Sequence, residues 1–355
     1  MTAEARNGVR ILRANGTAFP RRRFAGRASN YLTYFASAYL ASWRIGPQDV
    51  VVSLTDPPIL GLAALRAARR IGARFVFLCE DVFPEVAVLL EDFHNETVNR
   101  TLDRINRYLV READAVIALG DCMKRRLVEE KGADPARVRV IHNWADCEAI
   151  TPKSKDNAFA RAHGLADKFV LMHSGNVGLS QNLDLLIEAA GRLTSRERLV
   201  VAIVGDGARR QTLQEMAASR GLTNVRFFPY QPKELLDDSF AAADAFLVSL
   251  KPGLEGYIVP SKVYGILASG RPFVAAVDPS CEAAVIAREH HCGTIAPPGE
   301  PGALAASIAA LCDDPAGVRV MGENARRAAW RFDRRVAVQA YHNVFAAIGR
   351  AGAPA

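Results

Sequence analysis

Three short runs in the second half of the chain carry residue types suited to holding an anion. The first, Ser174-Gly175-Asn176-Val177-Gly178, follows the apolar run Phe169–His173 and precedes a helical pattern. Glycines there let backbone N–H groups approach a ligand, and a helix N-terminus adds its positive end. A tight strand-to-helix turn would use the same residues. The second, Val204-Gly205-Asp206-Gly207-Ala208-Arg209-Arg210, repeats the strand–glycine–helix order. It lacks the third glycine of a dinucleotide fingerprint, which discounts a nicotinamide site. Asp206 and Arg209 are placed to cap the next helix and to border a phosphate pocket. The third, Pro260-Ser261-Lys262-Val263-Tyr264-Gly265, predicts a helix with Pro260 at its first position and Lys262 in its first turn. A cation at the positive end of a helix is locally unfavourable and is expected where an anion binds. Carboxylates form a second group. Glu80, Asp81 and Glu85 follow the apolar run Arg74–Cys79, and Glu282 follows Pro272–Val277. Asp81 could accept a proton from a substrate hydroxyl, or cap the next helix. Glu282 could touch a substrate or simply begin a helix.

These residues need strands and helices to position them. Short β-rich runs lie near Val9–Leu12, Asp49–Leu54, Arg74–Cys79, Asp114–Leu119 and Val138–His142. A second series lies near Phe169–His173, Val200–Val204, Val225–Phe228, Ala245–Ser249, Pro272–Val277 and Gly293–Ala296. Amphipathic stretches such as Leu183–Leu193 and Arg209–Arg220 separate them. This alternation predicts an α/β protein with two parallel sheets covered on both faces. A chain of 355 residues is long enough for two domains. The expected division is 1–145, completed by a C-terminal helix at 332–350, then a polar linker at 146–157, then 158–331. Two doubly wound domains would face each other across a cleft lined by strand C-termini, where ligands of such sheets bind.

Charge is concentrated at the start. Between Ala5 and Gln48 stand eight arginines and neither lysine nor acid; Glu4 precedes them, and residues 49–355 balance to zero within the net +7. Tyr31, Phe35, Tyr39 and Trp43 recur every four residues, on one helical stripe. With Arg21, Arg22, Arg23 and Arg27 beside them, they fit an anionic membrane surface; a stripe packed on its own domain is the plain alternative. The absence of a nucleic-acid-binding signature argues against a DNA or RNA partner. Six dispersed cysteines without a CxxC pair fit a reducing cytoplasm, and no run is apolar enough to span a membrane. Seven histidines show no metal spacing.

In order along the chain, Thr55-Asp56-Pro57-Pro58, Glu80-Asp81-Val82-Phe83-Pro84-Glu85, Ile141-His142-Asn143-Trp144-Ala145-Asp146, Gly175–Gly178, Gly205–Gly207, Asn224–Tyr230, Pro260–Pro272 and Cys292-Gly293…Pro298-Gly299 resemble retaining glycosyltransferase family 4. The branch it is similar to builds bacterial surface polysaccharides. The resemblance implies a GT-B fold with a nucleotide-sugar on the C-terminal domain, an acceptor on the N-terminal one, and transfer with retention and without a DxD-held metal. It implies no cofactor, only a UDP- or GDP-linked sugar as co-substrate. Gly175, Asn176, Gly178, Ser261 and Lys262, with Arg209, would hold the diphosphate. Tyr230 and Gln231 would border the base. Asp81 and Glu282 would be the catalytic carboxylates. The acceptor would be a polyprenyl-diphosphate-linked saccharide at the inner face of the cell membrane.

Departures are visible. Where the family has two glutamates eight residues apart, this chain has Tyr257 and Gly265. Glu255 lies two residues ahead and is the candidate substitute, with Tyr257, for ribose or sugar contact. The family's phosphate-binding Arg and Lys match Asn176 and Gln181. The chain is also expected to enter at Gly8–Leu12 as a later strand, lacking the family's opening strand–loop–helix unit. Two further readings stay open: a non-catalytic GT-B partner protein, and a sugar-nucleotide epimerase of the same fold.

Overall fold

The structure, a computed structural model, describes residues 2–19, 24–90 and 95–350. It divides into two compact units. The first holds Met1–Ile141, Gly256–Ile258 and Ala340–Ala355, and the second His142–Glu255 and Val259–Gln339.

The first unit opens with β1 (Thr2–Arg6) and β2 (Val9–Arg13), paired antiparallel from Arg6↔Val9 to Thr2↔Arg13. Asn7 and Gly8 make the turn with φ of +52° and +78°. A two-residue loop with both positions left-handed matches the twist of a hairpin, and Asn-Gly is the pair that adopts it. The expectation that Gly8–Leu12 enters the parallel sheet is thus corrected: β2 pairs with β1 in a separate two-stranded sheet. The stretch after it is stitched along α1 (Phe24–Ser42) by side chains. Asn15 N–H donates to Ser37 Oγ, Thr17 N–H to Thr33 Oγ1 and Phe19 N–H to Asn30 Oδ1.

β3 (Val50–Leu54), α2 (Leu60–Ile71), β4 (Arg74–Cys79), α3 (Glu85–Leu89), α4 (Glu96–Glu112), β5 (Ala115–Ala118), α5 (Asp121–Glu129) and β6 (Val138–Val140) follow. The four strands form a parallel sheet in that order. β4 and β5 are nearly all apolar and buried, as a sheet covered on both faces requires. Asn95 caps α4, its side chain accepting from the Val98 N–H at 3.1 Å.

The second unit contains α6 (Ala158–Ala162), β7 (Phe169–Ser174), α7 (Asp184–Gly191), β8 (Leu199–Val204), α8 (Arg210–Ser219) and β9 (Val225–Phe228). It continues with α9 (Leu236–Ala241), β10 (Ala245–Ser249), α10 (Lys262–Ala268), β11 (Phe273–Ala276), α11 (Glu282–Glu289), β12 (Gly293–Ala296), α12 (Pro301–Asp313) and α13 (Pro315–Ala329). α14 (Arg334–Arg350) closes the chain, and from Ala340 on it counts with the first unit. The six strands are parallel in the order β12-β11-β10-β7-β8-β9. The order reverses between β7 and β10, the arrangement of a doubly wound dinucleotide fold, and ligands bind such sheets at the C-terminal ends flanking that reversal. The expected linker at 146–157 carries contacts of this unit: Lys155 is ion-paired with Asp244, and Asn157 Nδ2 donates to Asp238 O at 2.9 Å.

Candidate active site

At the reversal point, β7 ends in Ser174 and the chain turns through Gly175. Two loops meet there, one after β7 and one after β8. Gly175 N–H donates to Val204 O at 2.9 Å, and Val177 N–H donates to Asp206 O at 2.8 Å. A Cβ on Gly205 would lie 1.9 Å from Gly175 O, and one on Gly207 would lie 2.4 Å from Val177 O. Both glycines also have φ near +150°, in the range that excludes side chains. Their first task is therefore to let the two loops touch. The N–H of Gly178 donates to Gln181 Oε1 at 3.0 Å. The Gly175 and Gly178 donors expected for a phosphate are thus engaged within the protein. The exposed side of the loop is Asn176, and the space beside the Gly175 α-carbon is open to 4 Å.

Arg209 is engaged within the protein. Its guanidinium pairs with Asp184 at the start of α7, and its N–H donates to Val177 O. Arg210 takes the bridging role, bonding the carbonyls of Gly205 and Phe228 and so joining the ends of β8 and β9. Tyr230, mostly exposed, reaches Asp206 O at 3.4 Å, while Gln231 Nε2 donates to Pro229 O at 3.0 Å. Both stand beside the β8 loop.

Lys262 is the cation at this site. α10 begins at Lys262, two residues later than the sequence predicts, with Ser261 at the cap position and exposed. The partners found for its ammonium are the two ring nitrogens of His173, each at 3.3 Å. His173 is fully buried at the end of β7, and its Nε2 lies 3.2 Å from Asn176 O. Burial pushes Lys262 down to about 7. Burial, and then the neighbouring Lys262, hold His173 well below its ordinary value. Two nitrogen bases side by side, with no carboxylate among the partners found, leave a positive site that an incoming anion would neutralise. His173 escaped sequence reasoning because a histidine inside an apolar strand reads as core. Glu282, 4% exposed, opens α11, where a carboxylate complements the helix end.

The acidic loop belongs to the first unit. Thr55 Oγ1 accepts from the N–H groups of both Glu80 and Asp81 at 3.2 Å. On its other side, Asp81 pairs antiparallel with Ile258, and Val82 N–H donates to Tyr257 O at 2.9 Å. Burial first, then Glu80 and Asp56, push the Asp81 carboxyl up to about 6. Tyr257 is the residue expected at the sugar together with Glu255. It belongs to the first unit, and its hydroxyl donates to Glu130 Oε2 at 2.8 Å. Glu255 is the last residue of its stretch of the second unit. Among the described residues no group of three or more His, Cys, Asp or Glu could hold a metal ion.

Of the basic arm, Arg21, Arg22 and Arg23 lie outside the described residues. Tyr31, Phe35 and Tyr39 are half-buried, with Phe35 and Tyr39 stacked at 6.3 Å. Trp43, just past α1, is 52% exposed under the Arg70 guanidinium. The outward face is instead Leu32 (60% exposed) and Leu40 (68%). Arg27 is half-buried on the same helix.

Residues 155–328 match the family described as Glycosyl transferases group 1, and residues 2–144 match the Glycosyl transferase 4-like domain. A probable glycosyltransferase of Pseudomonas aeruginosa, WbjE, is 30% identical over 301 residues, 83% of this chain and 75% of its own. The chain belongs to the GT-B glycosyltransferases of the family 4 type. A putative colanic acid biosynthesis glycosyl transferase of Escherichia coli, WcaI, is 34% identical over 160 residues, 44% of this chain and 39% of its own length. Among solved structures, Anabaena HepE in complex with UDP-glucose superposes with a TM-score of 0.74 at 18% identity, covering 92% of this chain and 84% of that one. WaaG, a glycosyltransferase involved in lipopolysaccharide biosynthesis, gives 0.71 at 17% identity over 94% and 87%. These structures establish the GT-B fold. No helix among the described residues is long and apolar enough to cross a membrane.

Proposed function

We propose that this glycosyltransferase moves a sugar, with retention and without a metal, from a UDP- or GDP-linked donor to a polyprenyl-diphosphate-linked saccharide during bacterial surface-polysaccharide assembly. The observation that carries the donor half is the Lys262 ammonium, set at the strand-order reversal against the His173 ring. The departing nucleoside diphosphate gains charge as the glycosidic bond breaks, and a fixed cation there stabilises the transition state more than the ground state. HepE, solved with UDP and UDP-glucose, supports the donor class, and the descriptions of WcaI and WaaG support the polysaccharide context. Asp81 would accept the acceptor hydroxyl proton, and Glu282 would contact the donor sugar. The arginine-rich arm would hold the enzyme to the inner face of the membrane.

Calorimetric titration of UDP and GDP tests the donor site. Wild-type protein is expected to bind one of them, and Lys262→Ala to bind it at least tenfold more weakly; equal affinity would remove Lys262 from the site. Incubation with a nucleotide-sugar and a lipid-linked acceptor, with and without chelator, tests the rest. An α-linked product from an α-linked donor, formed equally well in chelator, is expected. An inverted product or chelator-abolished activity would overturn the mechanism.

A further inference from the structure

Residues 256–258 count with the first unit, although the chain on either side belongs to the second. Gly256 has φ +78°, and a Cβ there would lie 2.8 Å from Arg126 Cγ and 2.9 Å from Cys122 Sγ. The backbone is thus flush against α5, where only glycine fits. Tyr257 then locks the segment by its side chain. Its hydroxyl donates to Glu130 Oε2, its ring lies 4.6 Å from the Arg126 guanidinium, and Arg126 Nη1 pairs with Glu130 Oε1 at 2.5 Å. Burial pulls the Glu130 carboxyl upward, but the bonds from Tyr257 and Arg126 outweigh it and the group lies below the usual range. Burial, then the bond to Glu130, pushes the Tyr257 hydroxyl up to about 12, so it stays a donor.

The backbone of the same segment holds the acidic loop, through Tyr257 O to Val82 N–H and the pairing of Ile258 with Asp81. The far end of that loop is fastened one residue beyond Glu130. Lys131, with no exposed surface, donates to Glu85 Oε1 at 2.6 Å and to Asp103 Oδ1 at 2.7 Å. Thr55 holds the near end. A loop gripped at three points cannot relax to solvate a carboxylate.

We propose that Tyr257 is a positioning residue for Asp81: its hydroxyl bond to Glu130 fixes the 256–258 segment, and that segment's backbone sets the place and the shielding of the Asp81 carboxyl. The proposal rests on Asp81 as the group that receives the acceptor proton. The charged groups facing Asp81 are Glu80 and Asp56, and those facing Tyr257 are Glu130, Arg126 and Glu85. Removing the hydroxyl loosens the segment and lets more water reach Asp81, which is half-buried with the segment in place.

The test is Tyr257→Phe, which keeps the ring under Arg126. The Asp81 carboxyl, followed by carbon NMR against an Asp81→Asn blank, is expected to titrate near 6 in the wild type. In the variant it should fall toward the ordinary value of about 4. The acidic limb of kcat should move down with it, with kcat at neutral pH about tenfold lower and donor KM unchanged. An unshifted titration in a folded variant overturns the proposal, as does a raised donor KM with unchanged kcat. Glu130→Gln, which still accepts from Tyr257, serves if Tyr257→Phe does not fold and should retain most of the wild-type titration. A large drop in that variant would assign the effect to lost charge and also overturn the proposal. Full activity in Asp81→Asn would sink the catalytic reading of Asp81 separately, because the titration needs no turnover.

Discussion

Lys262 and Asp81 carry opposite electrostatic problems, and each makes a pH prediction. Lys262 is pushed down to about 7 by burial, so its ammonium is complete below that pH and is lost above it. A diphosphate binds the charged form. Its affinity should be flat between pH 5.5 and 6.5 and fall by about tenfold per unit above 7.5, as each unit removes a further factor of ten of charged amine. Burial and the neighbouring Lys262 hold His173 well below its ordinary value, so the fall above pH 7.5 is not its own. Lys262→Arg, charged at every accessible pH, should show no such fall. Calorimetry at pH 6 and pH 9 decides the matter, and equal wild-type affinities would count against the site. Asp81 is pushed up to about 6, so a base role predicts that kcat falls as pH drops through 6. Asp81→Asn should cost about 10²–10⁴ in kcat, the usual worth of a positioned base, in a direct transfer assay. Sequence reasoning singled out Asp81 as a carboxylate just behind β4 and Lys262 as a cation in the first turn of a helix. His173 and the Tyr257–Glu130 bond were not legible, because one is disguised as core and the other joins residues 127 positions apart.

At the scale of elements, the glycines behind β7 and β8 have a use that their sequence did not announce. Sequence order put glycines at the ends of β7 and β8, which suggested N–H groups aimed at a phosphate. The structure turns two of those donors inward and uses Gly205 and Gly207 for contact between loops. Such close approach depends on two segments 30 residues apart and leaves no local signature. It separates two substitutions that look alike on paper. Gly205→Ala would set a methyl 1.9 Å from Gly175 O at φ +142°. Strain and overpacking of that kind should cost roughly 3 kcal/mol or more. Gly265→Ala falls inside α10, where the nearest atoms to a new Cβ are Phe240 Cε2 at 3.5 Å and Ile150 Cδ1 at 4.0 Å. It should stabilise by about 0.5–1 kcal/mol, through helix propensity and a stiffer unfolded chain. Urea unfolding of the two variants should give opposite signs; matching signs would mean that the loop contact is not as tight as described.

For the whole molecule, strand–helix alternation revealed both sheets, because a parallel strand buried on two faces is a short apolar run wherever it falls. It did not find β1 and it misassigned β2, whose pairing is set by the two-residue Asn-Gly turn ahead of it rather than by its own composition. Charge was equally legible: all of the net +7 resides before Asp49. What composition could not give was the face that points outward. Tyr31, Phe35 and Tyr39 of the aromatic stripe are half-buried, and Leu32 and Leu40, two helical turns apart, take the exposed side of α1. If the arm docks to an anionic bilayer, these leucines enter the interface while the arginines supply the attraction. Fully burying a leucine is worth about 1.5–3 kcal/mol, so partial insertion of two should contribute about 2 kcal/mol, or about thirtyfold in partitioning. The double variant Leu32→Ser, Leu40→Ser should therefore bind vesicles of anionic lipid about thirtyfold more weakly, with its thermal unfolding nearly unchanged since both side chains are already in water. Raising salt should weaken the wild type further, by screening a cationic contribution of about 1 kcal/mol per arginine near the surface. Flotation of the double variant at wild-type levels would place the docking face elsewhere, and equal binding to neutral vesicles would remove the electrostatic half of the argument.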